Sequence, residues 1–297
     1  MSIAAFQLST DDNIAIVVGL GLVGSAIAKQ LSTTQSTLQF AQNKSIDWNS
    51  SASLLLAIDN ITEQTKPERV ELIWAAGKAG FTASETQINQ EITIYEQVLC
   101  KLRSTDNVQF TVSLISSAGG LYENSGLVEN IQDITPSRAY AFGKLRQEKI
   151  LSELKFKHRI YRVASVYGLG GSRSGLINTM LKSAKLRSPM LIHSNQNTLR
   201  DYVYSDDVAC NVVKDVINNK NLGTQIIATG RTTSINMMLN FIKKITKRSV
   251  PTTYSLHTSN SNDIIFSRNL LSDIATPTSL EEGIRMLYKN MLLEQTS

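Results

Sequence analysis

The chain has 297 residues, 42% hydrophobic and 19% charged, with a net charge of +5; that balance supports a sizeable core and excludes a disordered or fibrous polypeptide. The basic residues are scattered, so no nucleic-acid surface is marked, and the mild positive balance suits a phosphate-bearing small molecule. Cys100 and Cys210 lie far apart, and His158, His193 and His257 lack metal-ligand spacing, which argues against a disulfide framework and a metal site. With no signal-like start and no apolar run of roughly 18 residues, the sequence predicts a cytoplasmic protein with no membrane or nucleic-acid partner.

In chain order, "NIAIVVGLGLVGSAIAKQL" opens with an apolar β-branched run, Ile14 to Val18, followed by glycines and then helical periodicity. That is a strand, a tight turn and a helix. "VELIWAAG" (residues 70–77), "VQFTVSLISSAGG" (108–120) and "HRIYRVASVYG" (158–168) are further buried-strand runs, separated by helical segments such as 85–102 and 140–154. Continuous apolar strands alternating with helices predict an α/β fold, a Rossmann-type doubly wound parallel sheet covered on both faces. Beyond about residue 170 the spacing predicts a helix over 174–184, a strand over 225–228 and helices over 234–246 and 280–292. This reads as a smaller C-terminal α/β substrate-binding lobe over 169–297, with the dinucleotide-binding domain over 1–168 and later strands added to it from the second half. The polar run "HTSNSND", residues 257–263, reads as a surface loop.

Gly19, Gly21 and Gly24 form G-x-G-x-x-G between the first strand and helix. Small residues let the backbone approach a pyrophosphate, and Leu22 and Val23 open a helix whose free N–H groups favour an anion. An NAD(P) cofactor is therefore expected, with Ala75, Ala76 and Gly77 at the end of the next strand as further contacts. An acidic residue about 20 positions on would select NAD. Here that position is Lys44, with no acid before Asp47, so NADP is slightly favoured; Asp47 could instead sit under the adenine.

"LISSAGGLYE" closes a strand and leaves Ser116 and Ser117 at the carboxyl end of the sheet, where ligands bind in open α/β folds. In "SRAYAFGKLRQEKIL", Tyr140 and Lys144 stand four apart and share one helix face. Such a pair arises by chance in about half of chains of this composition, so only its companions give it weight. Together, the strand-end serine, the Tyr-x-x-x-Lys helix and the glycine turn resemble the short-chain dehydrogenase/reductase superfamily. More specifically they resemble its extended branch, the NAD(P)-dependent nucleotide-sugar epimerases, dehydratases and reductases. "SSAGGLYE" resembles that branch's Ser-Ser-Gly-Gly-Thr-Val-Tyr-Gly, and "PSRAYAFGKLRQE" its Pro-x-Ser-x-Tyr-Gly-x-x-Lys-x-x-x-Glu. "YRVASVYG", "LRDYVYSDDVA", "TGRTTSIN" and "TPTSLEEGI" match later segments, so the likeness spans nearly the whole chain.

The resemblance implies that Tyr140 is the general acid/base, with Ser117 hydrogen-bonding the reacting oxygen and Lys144 serving both catalysis and the nicotinamide ribose. A cation about 4 Å from a phenolate stabilises it by roughly 4 kcal/mol at an effective dielectric of about 20, so Lys144 is suited to that work. Arg200 matches a diphosphate-binding arginine, while Ser165 and His193 fall at substrate-binding positions. Asp206 and Asp207 read as the start of a helix. Three departures stand out: the glycine turn is one residue shorter than Gly-x-x-Gly-x-x-Gly, Ser165 replaces an asparagine, and "SNSND" lacks a second arginine. The family implies a homodimer and a nucleotide-sugar substrate. The leading expectation is an epimerase, with an NADPH-dependent 4-ketoreductase as the alternative and a non-catalytic NADP-binding sensor as a further one. A 4,6-dehydratase is disfavoured because Ser117, Ala118 and Gly119 stand where such enzymes carry Thr-Asp-Glu.

Overall fold

A computed structural model describes residues 2–8, 12–38, 46–47, 49–105, 107–170, 175–259 and 262–294. The chain begins with strands β1 (Ile3–Gln7) and β2 (Asn13–Val18), then helix α1 (Leu22–Thr34), β3 (Ser36–Leu38), α2 (Ser51–Thr65) and β4 (Arg69–Trp74). Next come α3 (Glu85–Arg103), β5 (Gln109–Ser117), the short α4 (Ala118–Leu121), β6 (Gly126–Val128), α5 (Ala139–Glu153), β7 (Lys157–Val163) and β8 (Ser165–Tyr167). The remainder holds α6 (Leu176–Leu186), β9 (Met190–Ser194), β10 (Arg200–Tyr204), α7 (Ser205–Asn218), β11 (Gly223–Ile227) and β12 (Thr232–Thr233). It ends with α8 (Ile235–Thr246), β13 (Thr252–Ser259), β14 (Ile264–Phe266) and α9 (Leu280–Leu293).

Seven strands form the main sheet in the order β11-β7-β5-β4-β2-β1-β3. Alternate residues of β2 feed two cores: Ala15 and Val17 pack with Ile27 of α1 and Val212 of α7, whereas Ile14 and Ile16 pack with Leu54 of α2 and Val98 of α3. Both faces are therefore covered by helices, as a parallel sheet requires. A third core, containing Tyr167, Met180, Ile192, Tyr204, Met238 and Leu287, lies under the C-terminal elements.

The observed sheet differs from the expected one at its edge. β1, which the sequence pattern does not signal, runs antiparallel between β2 and β3, pairing Ile3 with Val18 and Ala5 with Leu38. The strand that follows α1 is thus pushed one place outward, so the rule that reads cofactor choice about 20 residues beyond the glycine turn does not transfer. The expected strand over 158–168 also divides at Ala164. β7 stays in the main sheet, while β8 leaves it to pair with β10. In the segment expected as a loop, residues 257–259 continue β13, paired with β9.

The central strands are not wholly apolar. Glu71 of β4 and Arg159 of β7 are fully buried and pair at 2.9 Å, and Arg159 also donates to the Lys220 carbonyl and the Asn219 side chain. Burial raises the pKa of the Glu71 carboxyl, opposed by Arg159 and then Arg69. Removing one member of such a pair leaves an uncompensated buried charge. Glu71→Ala is accordingly expected to cost about 3–5 kcal/mol. In chemical denaturation it should lose far more stability than the double variant Glu71→Met/Arg159→Met; equal losses would show the pair is not coupled.

Candidate active site

The carboxyl ends of β2, β4 and β5 bring most of the candidate residues to one edge of the sheet. At the glycine turn, Gly19 has φ +90°, a left-handed conformation that favours glycine. A Cβ on Gly24 would fall 1.9 Å from the Gly19 carbonyl, so only glycine lets α1 start this close to the turn. A Cβ on Gly21 would meet nothing within 4 Å, so the middle of the turn opens outward. Gly21 is the N-cap of α1, with no side-chain cap and no acidic residue in the first turn. The N–H groups of Leu22 and Val23 therefore stand at an uncapped positive helix end, the arrangement that accepts a pyrophosphate. This open cradle fits a dinucleotide despite the shortened turn.

Beside it, Ala75, Ala76 and Gly77 continue β4, with the Ala75 N–H donating to the Val18 carbonyl at 2.9 Å. The loop beyond is held by Glu91 of α3, whose Oε1 accepts the backbone N–H groups of Lys78 and Ala79. Nothing in the helical pattern of the sequence distinguishes Glu91 from a surface acid, and only the fold brings it to this loop. Asp47 accepts the Asn49 N–H at 2.9 Å and so shapes the turn before α2. Lys44 lies outside the described residues.

Ser117 ends β5 and serves as N-cap of α4, its Oγ accepting the Gly120 N–H at 3.1 Å. Tyr140 sits in the first turn of α5. A Cβ at Gly120 would lie 3.3 Å from Tyr140 Cδ1 and Cε1 and 3.4 Å from Ser117 Oγ, so the serine and the tyrosine ring converge on that glycine. Ser165 Oγ approaches neighbouring Gly119, as does Phe81. The Phe81 ring packs on Tyr140 with centroids 4.9 Å apart, forming one wall of the site. Lys144 Nζ donates to the Ile115 carbonyl at 3.1 Å and to Gln147 Oε1 at 3.2 Å, which ties it to the end of β5. Among the described residues no hydrogen bond joins the ammonium to the phenol.

The placement of α5 has physical causes. Gly143 lets the helix approach α3, because a Cβ there would fall 2.4 Å from Ile88. Glu148, buried on the same helix, accepts Ser116 Oγ at 2.5 Å and pairs with Arg162 of β7 at 2.7 Å. Arg162 also donates to the Tyr122 hydroxyl at 2.6 Å. Ser116 thus belongs to a buried clamp that fixes α5 on β5 and β7, whereas Ser117, one residue on, faces the site.

Arg200 begins β10, half-buried, with Nη1 on the Leu199 and Asn262 carbonyls at 2.8 and 2.6 Å. Burial lowers its pKa, countered by Tyr202 and Asp263. His193 is exposed on β9, and among the described residues no hydrogen bond or ion pair joins it to the other candidates. Asp206 and Asp207 open α7 as expected, and Asp207 anchors the C-terminal segment by accepting the Thr278 N–H and hydroxyl. Among the described residues there is no group of side chains that could hold a metal ion and no helix long and apolar enough to cross a membrane.

Solved structures share this architecture at low identity. MoeE5 in complex with UDP-glucose and NAD superposes with a TM-score of 0.76 at 19% identity, covering 93% of this chain and 97% of that one. The UDP-glucose 4-epimerase of Thermotoga maritima gives 0.71 at 20% identity, again covering 93% and 97%. TunA, an NAD-dependent NDP-hexosamine 5,6-dehydratase, gives 0.66 at 16% identity over 78% and 79%. Comparison with curated proteins finds no match. The model of the NAD dependent epimerase/dehydratase family matches residues 15–225, most of the chain, and the protein belongs to that family.

Proposed function

We propose that this chain is a nucleotide-sugar epimerase that keeps a nicotinamide dinucleotide bound at the glycine turn. The observation that carries the reading is the convergence of Ser117 Oγ and the Tyr140 ring on Gly120, beside the open cradle of Gly21 and α1. Bound there, the dinucleotide would supply the acceptor and donor of hydride. Tyr140 would take the proton from a sugar hydroxyl at its phenol oxygen and return it. Ser117 Oγ already accepts the Gly120 N–H, so its own proton is free to donate to the sugar oxygen. The Phe81 ring shields one face of the phenol from water. Lys144, held by Ile115 and Gln147, presents its charge on the same helix face as Tyr140.

The proteins that share the fold include complexes with NAD and UDP-glucose, which supports a nucleotide-sugar substrate for this chain. The second reading is an NADPH-dependent 4-ketoreductase, in which the same Ser117 and Tyr140 would deliver a proton to a sugar carbonyl oxygen. Releasing the dinucleotide from purified protein and following interconversion of UDP- and GDP-sugars separates the two. Copurified dinucleotide and epimer interconversion without net nicotinamide oxidation are expected. Stoichiometric oxidation of added NADPH by a 4-keto nucleotide sugar, which is reduced to the 4-hydroxyl, would replace the epimerase by the reductase, and dinucleotide binding without any nucleotide-sugar binding would leave a sensor.

A further inference from the structure

Arg138 stands at the N-cap of α5, two residues before Tyr140, in extended backbone (φ −116°, ψ 153°) and with no capping hydrogen bond. N-caps favour Ser, Thr, Asp and Asn, and a cation there opposes the helix dipole, so Arg138 is unfavourable for the helix itself. The arginine is nonetheless held firmly. Glu123, 5% exposed, places Oε1 2.5 Å from Arg138 Nε and accepts the Ser137 hydroxyl on Oε2 at 2.5 Å. Both residues depart from the family pattern set out above: Arg138 stands at its Ser before the tyrosine and Glu123 at its Gly after Tyr122. The two departures meet in one ion pair.

That pair uses the inner nitrogen of the guanidinium. Among the described residues, Nη1 and Nη2 make no hydrogen bond, and the side chain is 38% exposed. The guanidinium lies 5.7 Å from the centroid of Phe81, the ring that packs on Tyr140, so its charge stands one ring away from the proposed catalytic phenol. A planar fork with two unused nitrogens matches a carboxylate bidentately. Arg138 and Glu123 also act electrostatically on Arg200, so the three charges lie within range of one another. With the diphosphate going to Arg200, as the resemblance implies, the arginine beside Tyr140 is left for the sugar end.

Building on the nucleotide-sugar reading, we propose that Arg138 binds a carboxylate on the sugar, making this chain selective for uronate-type nucleotide sugars. The test is calorimetric titration of dinucleotide-loaded protein with UDP, UDP-glucose and UDP-glucuronic acid, and with GDP-mannose and GDP-mannuronic acid. The uronate of one pair is expected to bind at least about tenfold more tightly than its neutral sugar, as one charge-assisted bidentate contact allows. Arg138→Gln should erase that preference while leaving the neutral sugar and the free nucleotide unchanged. The double variant Glu123→Gln/Arg138→Gln, which leaves no buried carboxylate unpaired, should behave alike and guards against a folding defect. A wild type with no uronate preference, or a preference that survives Arg138→Gln, overturns the proposal. Equal weakening of the free nucleotide would reassign Arg138 to the diphosphate and overturn it too. Dinucleotide binding with no response to any nucleotide ligand would instead remove the nucleotide-sugar reading, and this proposal with it.

Discussion

Replacing Tyr140 by phenylalanine is expected to lower kcat by roughly 10²–10⁴-fold, the range for losing a positioned acid/base, with dinucleotide affinity nearly unchanged. The substitution is unusually clean here. The contacts that seat the ring, against Phe81 and over Gly120, involve carbons that phenylalanine retains. Among the described residues the phenol oxygen makes no hydrogen bond, so its removal leaves no buried partner unsatisfied. The lost oxygen therefore reports proton transfer rather than folding. Equal falls in kcat and kcat/KM would indicate an interaction made only in the transition state. Activity within about tenfold of wild type would move the proton-transfer role elsewhere, and lost dinucleotide binding would show that the ring serves the cofactor instead.

The parts of this molecule legible in the sequence are those where local pattern and chemistry coincide. β2 is a continuous apolar run rich in β-branched residues from Ile14 to Val18, Gly19 and Gly24 are required by backbone geometry, and α5 carries its Tyr and Lys at helical spacing. What escaped depends on partners distant in the chain. β1 is five residues with two alanines, weak as a strand signal, and becomes a strand because β2 and β3 flank it. Glu71 and Arg159 lie 88 positions apart; each alone reads as a polar interruption of a buried strand, and only the register that lays β5 between β4 and β7 makes them a pair. Glu148 and Arg162 likewise look like a surface acid and a strand-edge cation until Ser116 joins them. Arg138 was hidden for the opposite reason. It sits inside the most recognisable motif of the chain, beside the tyrosine and lysine, and its setting depends on Glu123 across the loop.

Lys144 makes the complementary test, because its surroundings give it more than one task. Its ammonium is tied to the Ile115 carbonyl and to Gln147 Oε1, which leaves one N–H for a ligand and sets the charge at the end of β5. Lys144→Met keeps an unbranched side chain one atom shorter and removes both the charge and that donor. kcat is expected to fall by roughly 10²–10³-fold, in keeping with about 4 kcal/mol of electrostatic support to a phenolate at most. Dinucleotide affinity should also drop, by about tenfold, through the lost charge-assisted hydrogen bond. The contrast with Tyr140→Phe is the informative part. A single-turnover measurement alongside dinucleotide titration should show the tyrosine variant defective in chemistry alone and the lysine variant defective in both. If Lys144→Met binds dinucleotide as the wild type does, the lysine acts on the tyrosine only. If it is slow solely because the site stays empty, saturating dinucleotide will restore kcat, and the electrostatic role at Tyr140 is lost.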